Sequence, residues 1–337
     1  MSSVCAVVPT HSRKELLTQS LRALLRQTRP LDEIVVVDNG STDGTEAKVR
    51  EEFGSRITYV RLPGNTGSAG GFREGMRLAF ERGHDWVWCM DDDAVPQDDA
   101  LQKLIEAESS SLEPVVAKVC SRRDPVTGMR YRAGEVLDFK RHKNVPIPEA
   151  DWAGKNIAVD CAPWAGLLVR TEAAHRAGYP NGGLFAWFDD SLFTWELRKL
   201  GQVIHVDTTA ILHPYETAQR EERFQHRRLK AEEFWKQYYL FRNGYLLRQA
   251  CFGRWYALRK LVYDYARCLA SIMVLDGAKI YRIQLTTKAF VDGLLGRLGR
   301  RVQPEDFAIK SGRARGAAAA ADSKGGSALL PTSDADK

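Results

Sequence analysis

This chain of 337 residues predicts an α/β domain on a mixed, mostly parallel sheet, followed by a helical subdomain. Two observations carry the first half of that expectation. Short β-branched runs alternate with amphipathic helical stretches through residues 1–120, the order that lays strands side by side in parallel. Segments rich in Asp, Asn and Gly follow those runs, at the carboxyl ends of the strands, where open α/β sheets bind ligands. The third observation carries the second half: from residue 217 onward, aromatic and aliphatic residues recur at helical spacing among Arg and Lys. The resulting division is 1–216 for the α/β domain, 217–310 for a basic, aromatic helical subdomain, and 311–337 for an Ala-, Gly- and Ser-rich tail read as disordered.

Taken in order, strand-like runs cover residues 4–9, 33–38, 57–62, 86–90 and 115–119. Helical stretches cover 14–27, 45–53, 71–82 and 100–109. In the first helix Leu16, Leu17, Leu21, Leu24 and Leu25 form an apolar stripe at the helical period. Residues 121–155 are polar and turn-rich, with Pro125, Gly128, Gly134, Pro146 and Pro148, and predict a hairpin or an active-site loop. Order resumes with the apolar segment 161–169, a helix over 191–200 and a strand at 203–206. In the rear segment Phe224, Trp235, Tyr238, Phe241 and Tyr245 recur near helical spacing, as do Leu258, Leu261, Val262, Tyr265, Leu269 and Ile272.

Composition narrows the class. A hydrophobic content of 44% suits a globular protein with a sizeable core. The six cysteines lie far apart with no CxxC pair, which argues against a zinc site or a disulfide framework and fits a reducing cytosol. The first strand begins within a few residues of Met1, with no basic leader before it, and no run of 18 apolar residues predicts a membrane span. The net charge of +6 is unevenly spread: residues 220–301 hold 18 Lys and Arg against 7 Asp and Glu, while residues 1–219 hold 26 against 31. An acidic front and a basic rear imply two tasks.

Two acidic clusters carry the chemistry. Asp91-Asp92-Asp93 leaves the buried run Trp86-Val87-Trp88-Cys89-Met90. Carboxylates so close repel one another unless a cation intervenes, and Mg²⁺ or Mn²⁺ shared with substrate phosphates would relieve that repulsion. The plain alternative is N-capping of a helix over 98–107. The second cluster, Asp189-Asp190 in Ala186-Trp187-Phe188-Asp189-Asp190, offers a general base. Between the clusters and the amino terminus lie three further signals. Pro9-Thr10-His11-Ser12-Arg13 and Val37-Asp38-Asn39-Gly40-Ser41-Thr42-Asp43-Gly44 end the first two strands. Asn65-Thr66-Gly67-Ser68-Ala69-Gly70-Gly71-Phe72-Arg73 forms a glycine-rich junction whose backbone N–H groups could approach a phosphate. Its spacing is neither a Walker loop nor a dinucleotide fingerprint.

In this order, these motifs resemble family 2 glycosyltransferases of the GT-A fold over residues 4–215. The Gly-Gly-Phe segment, the triple Asp and Trp-Phe-Asp-Asp look closest to the bacterial galactofuranosyl- and rhamnosyltransferase branch. The resemblance implies that Pro9, Thr10, Arg13 and Asp38 contact the base and ribose. It implies that Asn65, Gly67, Gly70, Gly71 and Arg73 line the nucleotide-sugar site, with Asp91 and Asp92 beside them. Asp91, Asp93 and His213 would bind Mn²⁺ or Mg²⁺, Asp190 would be the general base, and Trp187, Asp189 and Glu196 would face the acceptor. Two features depart from the family pattern. His11 stands where Asn is commoner, and the helix after the base lacks an acidic residue two positions on, leaving Glu196 as the candidate substitute.

The implied activity is inverting, metal-dependent transfer from UDP-galactofuranose or dTDP-rhamnose to a hydroxyl of a glycan or polyprenyl-linked glycan in cell-envelope polysaccharide synthesis. A nucleotidyltransferase is the first rival, but His11-Ser12-Arg13 lacks the basic, glycine-rich signature that holds a triphosphate. The second is a non-catalytic sugar-nucleotide- or membrane-binding protein, against which stand the retained Asp189-Asp190 and His213. The basic, aromatic rear fits peripheral attachment to an anionic membrane surface on the cytoplasmic face, or a helical subdomain with a solvated basic face. No nucleic-acid module accompanies the charge.

Overall fold

The computed structural model describes residues 2–131, 134–145, 156–213, 233–275 and 279–303. Phe224, Pro146, Pro148, the boundary expected at 216/217 and the tail from Ser311 lie outside the described residues.

The chain opens with β1 (Val4–Thr10), α1 (Lys14–Leu25), β2 (Glu33–Asp38), α2 (Thr45–Phe53), β3 (Thr58–Arg61), α3 (Gly67–Glu81) and β4 (Trp86–Cys89). All four strands run parallel, in the spatial order β3-β2-β1-β4. Both faces of β1 are buried, so it reads as an unbroken apolar run. Val4, Ala6 and Val8 pack with Leu17, Leu21 and Leu24 of α1 on one face; Cys5 and Val7 pack with Phe72 and Met76 of α3 on the other. Leu16 and Leu25, at the edges of the α1 stripe, are exposed.

The sheet then turns mixed. After β5 (Val95–Pro96) and α4 (Ala100–Glu106) come β6 (Val115–Arg123), β7 (Arg130–Tyr131) and the hairpin β8 (Val136–Asp138) with β9 (Lys143–Val145). They are followed by β10 (Asn156–Val159), β11 (Leu167–Arg170), α5 (Thr171–Arg176), α6 (Asp189–Arg198) and β12 (Gln202–Leu212). Beyond β4 the order continues β11-β6-β12-β10, with β11 antiparallel to both neighbours and β12 parallel to β6. The hairpin expected within 121–155 is therefore present as β8–β9. β11 hides in sequence because it is short and flanked by Trp164-Ala165-Gly166. β12 runs to Leu212, well past the expected 203–206, because a register shift between Val206 and Ala210 lets pairing resume.

Three helices follow: α7 (Phe234–Phe252), α8 (Arg254–Leu275) and α9 (Lys279–Leu294). They share a core with the α/β domain rather than standing apart from it. Phe185 packs with Phe234, Tyr238, Tyr239, Leu285 and Ala289, and Trp187 packs against the same cluster. Each such fully buried aromatic contributes about 1.5–3 kcal/mol. Val262, expected in the inner stripe of α8, instead faces solvent, with Ala257, Leu261 and Ile272 forming the buried side.

Candidate active site

The carboxyl ends of β1, β4, β6 and β12 converge on the acidic triplet. β4 ends where the Met90 N–H donates to the Val7 carbonyl at 3.0 Å, and Ala94 N–H closes a turn onto the Asp91 carbonyl at 3.1 Å. β5 then pairs antiparallel with the end of β12, Val95 opposite Leu212, and this delivers His213 to the triplet. His213 Nε2 lies 3.2 Å from Asp93 Oδ1 and 3.9 Å from Asp91 Oδ2. The N-capping alternative fails: β5 separates the triplet from α4, whose first turn begins only at Ala100 and receives no side-chain cap.

Asp92 differs from its neighbours. It is buried, accepting from Thr10 Oγ1 at 2.8 Å and from Arg13 Nη1 at 2.9 Å. Arg13 also reaches Asp93 Oδ2 at 3.2 Å. Thr10, Arg13 and Asp92 thus form a brace that fixes the triplet on β1, with Asp92 turned inward. Asp38 is likewise fully buried, accepting from Ser41 N–H at 2.8 Å and Arg61 Nη1 at 2.9 Å.

Asp91, Asp93 and His213 offer ligand atoms all within 4.8 Å of one another. His213 Nδ1 is buried and has no hydrogen-bond partner among the described residues. Two carboxylates and an imidazole fit a divalent cation, and the imidazole suits Mn²⁺ better than Mg²⁺. The electrostatics agree. Burial and the adjacent Asp93 push Asp91 well above the ordinary carboxylate range, although 34% of its side chain stays accessible. Burial acts the same way on Asp93, but the hydrogen bond and charge of His213, helped by Arg13, more than reverse it. A cation would relieve the first shift and take over the second role. A second cluster, Cys5, Glu33 and His84, sits at the amino edge of the sheet. There Glu33 is already held by Thr58, Arg82 and His84, and burial holds the Cys5 thiol neutral.

The glycine-rich junction is helix, not loop: α3 starts at Gly67, four residues before the expected boundary. Its glycines have packing reasons. Gly67 adopts φ +75°, and a Cβ there would fall on the Phe185 carbonyl. A Cβ on Gly70 would strike Thr66, and one on Gly71 would come within 2.6 Å of Pro9. Asn65 Oδ1 accepts from Gly67 N–H at 2.9 Å and shapes the turn. Arg73 Nη1 donates to the Gly178 and Pro180 carbonyls, both at 3.1 Å. The close approach that glycine permits is thus made in part by the protein's own backbone.

The two carboxylates of the second cluster have opposite environments. Asp189 is buried, and its Oδ2 accepts from Ser68 Oγ at 2.8 Å and Trp164 Nε1 at 2.9 Å. That makes it an internal anchor between α3, α6 and the segment before β11. Asp190 is half-buried and, among the described residues, accepts from its neighbour Ser191 through Oδ1. Burial raises both above the ordinary range; at Asp190 the Ser191 N–H and the Arg122 charge oppose the rise. Glu196 lies six residues along α6, on a different face of the helix, and pairs with Lys199 at 2.7 Å. Trp187 is half-buried with its ring 5.1 Å from Trp235.

Sequence reasoning missed Trp164, Arg122 and Asn243, and named Ser68 only as part of the glycine-rich junction. Ser68 and Trp164 hold Asp189. Arg122 lies within charge range of Asp91, His213 and Asp190 together. Its signal was the length of β6, which was expected to end at residue 119 and so to leave Arg122 in a loop. Asn243 bonds the backbone just ahead of Asp189.

The family model for glycosyl transferase family 2 matches residues 5–167. A galactofuranosyltransferase, GlfT1 of Mycolicibacterium smegmatis, is 32% identical over 270 residues, covering 77% of this chain and 85% of that protein. GlfT1 of Mycobacterium tuberculosis is 44% identical over 129 residues, 36% of this chain and 41% of that one. Among solved structures, Staphylococcus aureus TarS 1-349 in complex with UDP superposes with a TM-score of 0.54 at 15% identity, over 87% of this chain and 81% of TarS. GalNAc-T7 with UDP, GalNAc and Mn²⁺ gives 0.53 at 13% identity, over 78% and 57%.

Proposed function

This chain belongs to glycosyltransferase family 2 and has the GT-A fold, and from that premise we propose that it is a metal-dependent, inverting hexosyltransferase with Asp190 as its general base. The observation that carries the proposal is the contrast within the second acidic pair. Asp189 has its Oδ2 taken up by internal donors, while Asp190 is half-buried and among the described residues forms its hydrogen bonds through Oδ1, with Ser191.

Asp91, Asp93 and His213 would hold Mn²⁺ or Mg²⁺. The cation supplies neutralisation of the charge that gathers on the departing diphosphate. Arg13 and Asp92 keep Asp93 aimed at that place from the β1 side. Asp190 accepts the proton of the acceptor hydroxyl as its oxygen attacks the anomeric carbon. The bond from that carbon to the diphosphate oxygen breaks on the opposite face, so configuration inverts and a nucleoside diphosphate leaves. No carboxylate needs to form a covalent intermediate.

The similarity to GlfT1 along 85% of its length supports UDP-galactofuranose as donor, with dTDP-rhamnose the neighbouring choice. The acceptor is a glycan or polyprenyl-linked glycan of the cell envelope. TarS and GalNAc-T7, whose structures hold UDP, support the nucleotide side only at the level of fold. A panel of UDP- and dTDP-sugars with and without Mn²⁺ tests the reading. Transfer from UDP-galactofuranose that EDTA abolishes is expected; transfer only from UDP-glucose or UDP-N-acetylglucosamine, or full activity in EDTA, overturns it.

Peripheral attachment to an anionic membrane surface is supported by the outer face of α8. Trp255, Val262, Tyr263, Met273 and Val274 lie there at helical spacing, each more than half exposed, with Arg254, Arg259 and Arg267 among them. Among the described residues no helix is long and apolar enough to cross a membrane. Cosedimentation with anionic vesicles that weakens with salt is expected; equal failure to bind anionic and neutral vesicles at low salt overturns it.

A further inference from the structure

The segment before Asp190 has a backbone that this sequence would not adopt alone. Phe185, Trp187 and Phe188, none of them glycine, have φ of 69°, 62° and 62°. Around Phe185 the Ala186 N–H donates to the Leu184 carbonyl at 2.9 Å, closing a three-residue turn of the rare, strained hand. A positive φ is costly for any residue but glycine, and such strain persists only where the surroundings over-determine it.

What over-determines it here comes from α7. Asn243 is fully buried, and the two N–H groups of its Nδ2, one of them shared, serve three carbonyls of this segment: Leu184 at 3.0 Å, Ala186 at 2.7 Å and Trp187 at 2.9 Å. Its Oδ1 accepts from Arg242 Nε at 2.8 Å, which fixes the orientation of the amide. Arg242, also fully buried, donates to the Leu184 carbonyl at 2.8 Å and to Gly183 at 3.2 Å. Its other nitrogen reaches the Gly299 carbonyl at 2.9 Å, beyond α9. The rings of Tyr239 and Tyr238 flank the guanidinium at 4.9 and 5.5 Å. The next residue, Gly244, has no side chain, and a Cβ there would come within 3.3 Å of the Phe188 ring.

We propose that Arg242 and Asn243 are positioning residues for glycosyl transfer, and that α7 sets the place of Asp190 by holding the carbonyls of Leu184, Ala186 and Trp187. Neither residue touches substrate. They act through the strained turn, which ends at Asp189 and starts α6. The same turn meets the donor side of the cleft, because the Phe185 carbonyl lies against Gly67 and accepts from Ser68 Oγ at 3.4 Å. The helical subdomain is therefore part of the catalytic apparatus, whatever its outer face binds. This inference rests on the reading of Asp190 as the base.

A double-mutant cycle between positions 190 and 243 tests it, with turnover, UDP affinity by calorimetry and melting temperature measured for each variant. Asn243→Ala should lower kcat by about a hundredfold, the effect of misplacing a reacting group by about 1 Å, with UDP affinity kept. Asn243→Asp, which turns a carboxylate toward three carbonyls, should lower it further. Asn243→Ser and Arg242→Lys each retain a donor and should recover part of kcat relative to Asn243→Ala and Arg242→Ala; they also serve if the alanine variants fail to fold. Leu261→Ala, in the core of α8, should lower the melting temperature without changing kcat. In an Asp190→Asn background Asn243→Ala should cost little more, since both changes disable one group. If Asp190→Asn is itself nearly fully active, the reading of the base fails. If Asp190→Asn is inactive while folded Asn243 variants keep wild-type kcat, or the two losses multiply in full, the positioning role fails and the base stands.

Discussion

The two acidic groups of this site are built by opposite means. The first, Asp91 to Asp93, sits on the end of a parallel strand and is braced by the neighbouring strand through Thr10 and Arg13. Every part of that brace is regular structure or lies within three residues of it. The second, Asp189 and Asp190, starts a helix after three non-glycine residues in the left-handed region, and donors more than fifty residues downstream hold the backbone in place. A strand end is a cheap platform for a metal-binding carboxylate because sheet hydrogen bonds already fix its backbone. The proposed base, which would approach an acceptor from the far side of the sugar, has no such platform. Its position depends on long-range contacts.

The comparison breaks most sharply at Asp93. Asp93→Ala should abolish transfer with the fold intact, because it removes a proposed cation ligand and a partner of both Arg13 and His213; turnover across a Mn²⁺ titration checks this, and near-normal activity at low Mn²⁺ would undo the metal role. The next effect is smaller and depends on pH. Asp190 ionises above the ordinary carboxylate range because of its burial, and a base works only when deprotonated. The acid limb of kcat/KM should therefore lie above that range, activity falling as pH drops through it; a limb at the ordinary carboxylate pKa would show that another group titrates. Gly67→Ala tests the junction of the two regions. A methyl group there collides with the Phe185 carbonyl at a positive φ, so a stability loss of about 1–3 kcal/mol should accompany reduced turnover, as seen in chemical denaturation. Trp255→Glu on the outer face of α8 should leave turnover on a soluble acceptor analogue unchanged while weakening vesicle binding.

The same contrast explains what could be read in sequence. The parallel half of the sheet was legible because its strands are continuous apolar runs and its chemistry follows each run directly. Asp91, Asp93 and His213 came from motif order, and the structure brings them together through β5 and the long β12, neither of which the pattern foretold. The glycine-rich junction was located correctly but begins a helix, since Gly67, Gly70 and Gly71 answer to Phe185, Thr66 and Pro9, contacts no local pattern reveals. Asp190 was set apart from Asp189 by the family resemblance alone; the physical basis of the difference was not legible, because it depends on Ser68 and Trp164, distant in sequence from it. Glu196 was offered in place of an acidic residue missing from the family pattern; it lies on a different face of the helix from Asp190 and pairs with Lys199. Arg242 and Asn243 look in sequence like two polar residues among aromatics. Only their burial reveals them.

The central claim is that Asp190 is the base of a single-displacement glycosyl transfer. Single-turnover kinetics of Asp190→Asn with UDP-galactofuranose, alongside UDP affinity for the same protein, tests it most directly. A rate lowered by about a hundredfold or more, the scale of general-base catalysis, with UDP affinity unchanged, is the predicted result. A rate within a few-fold of the unaltered protein would contradict it and move the base elsewhere in the cleft.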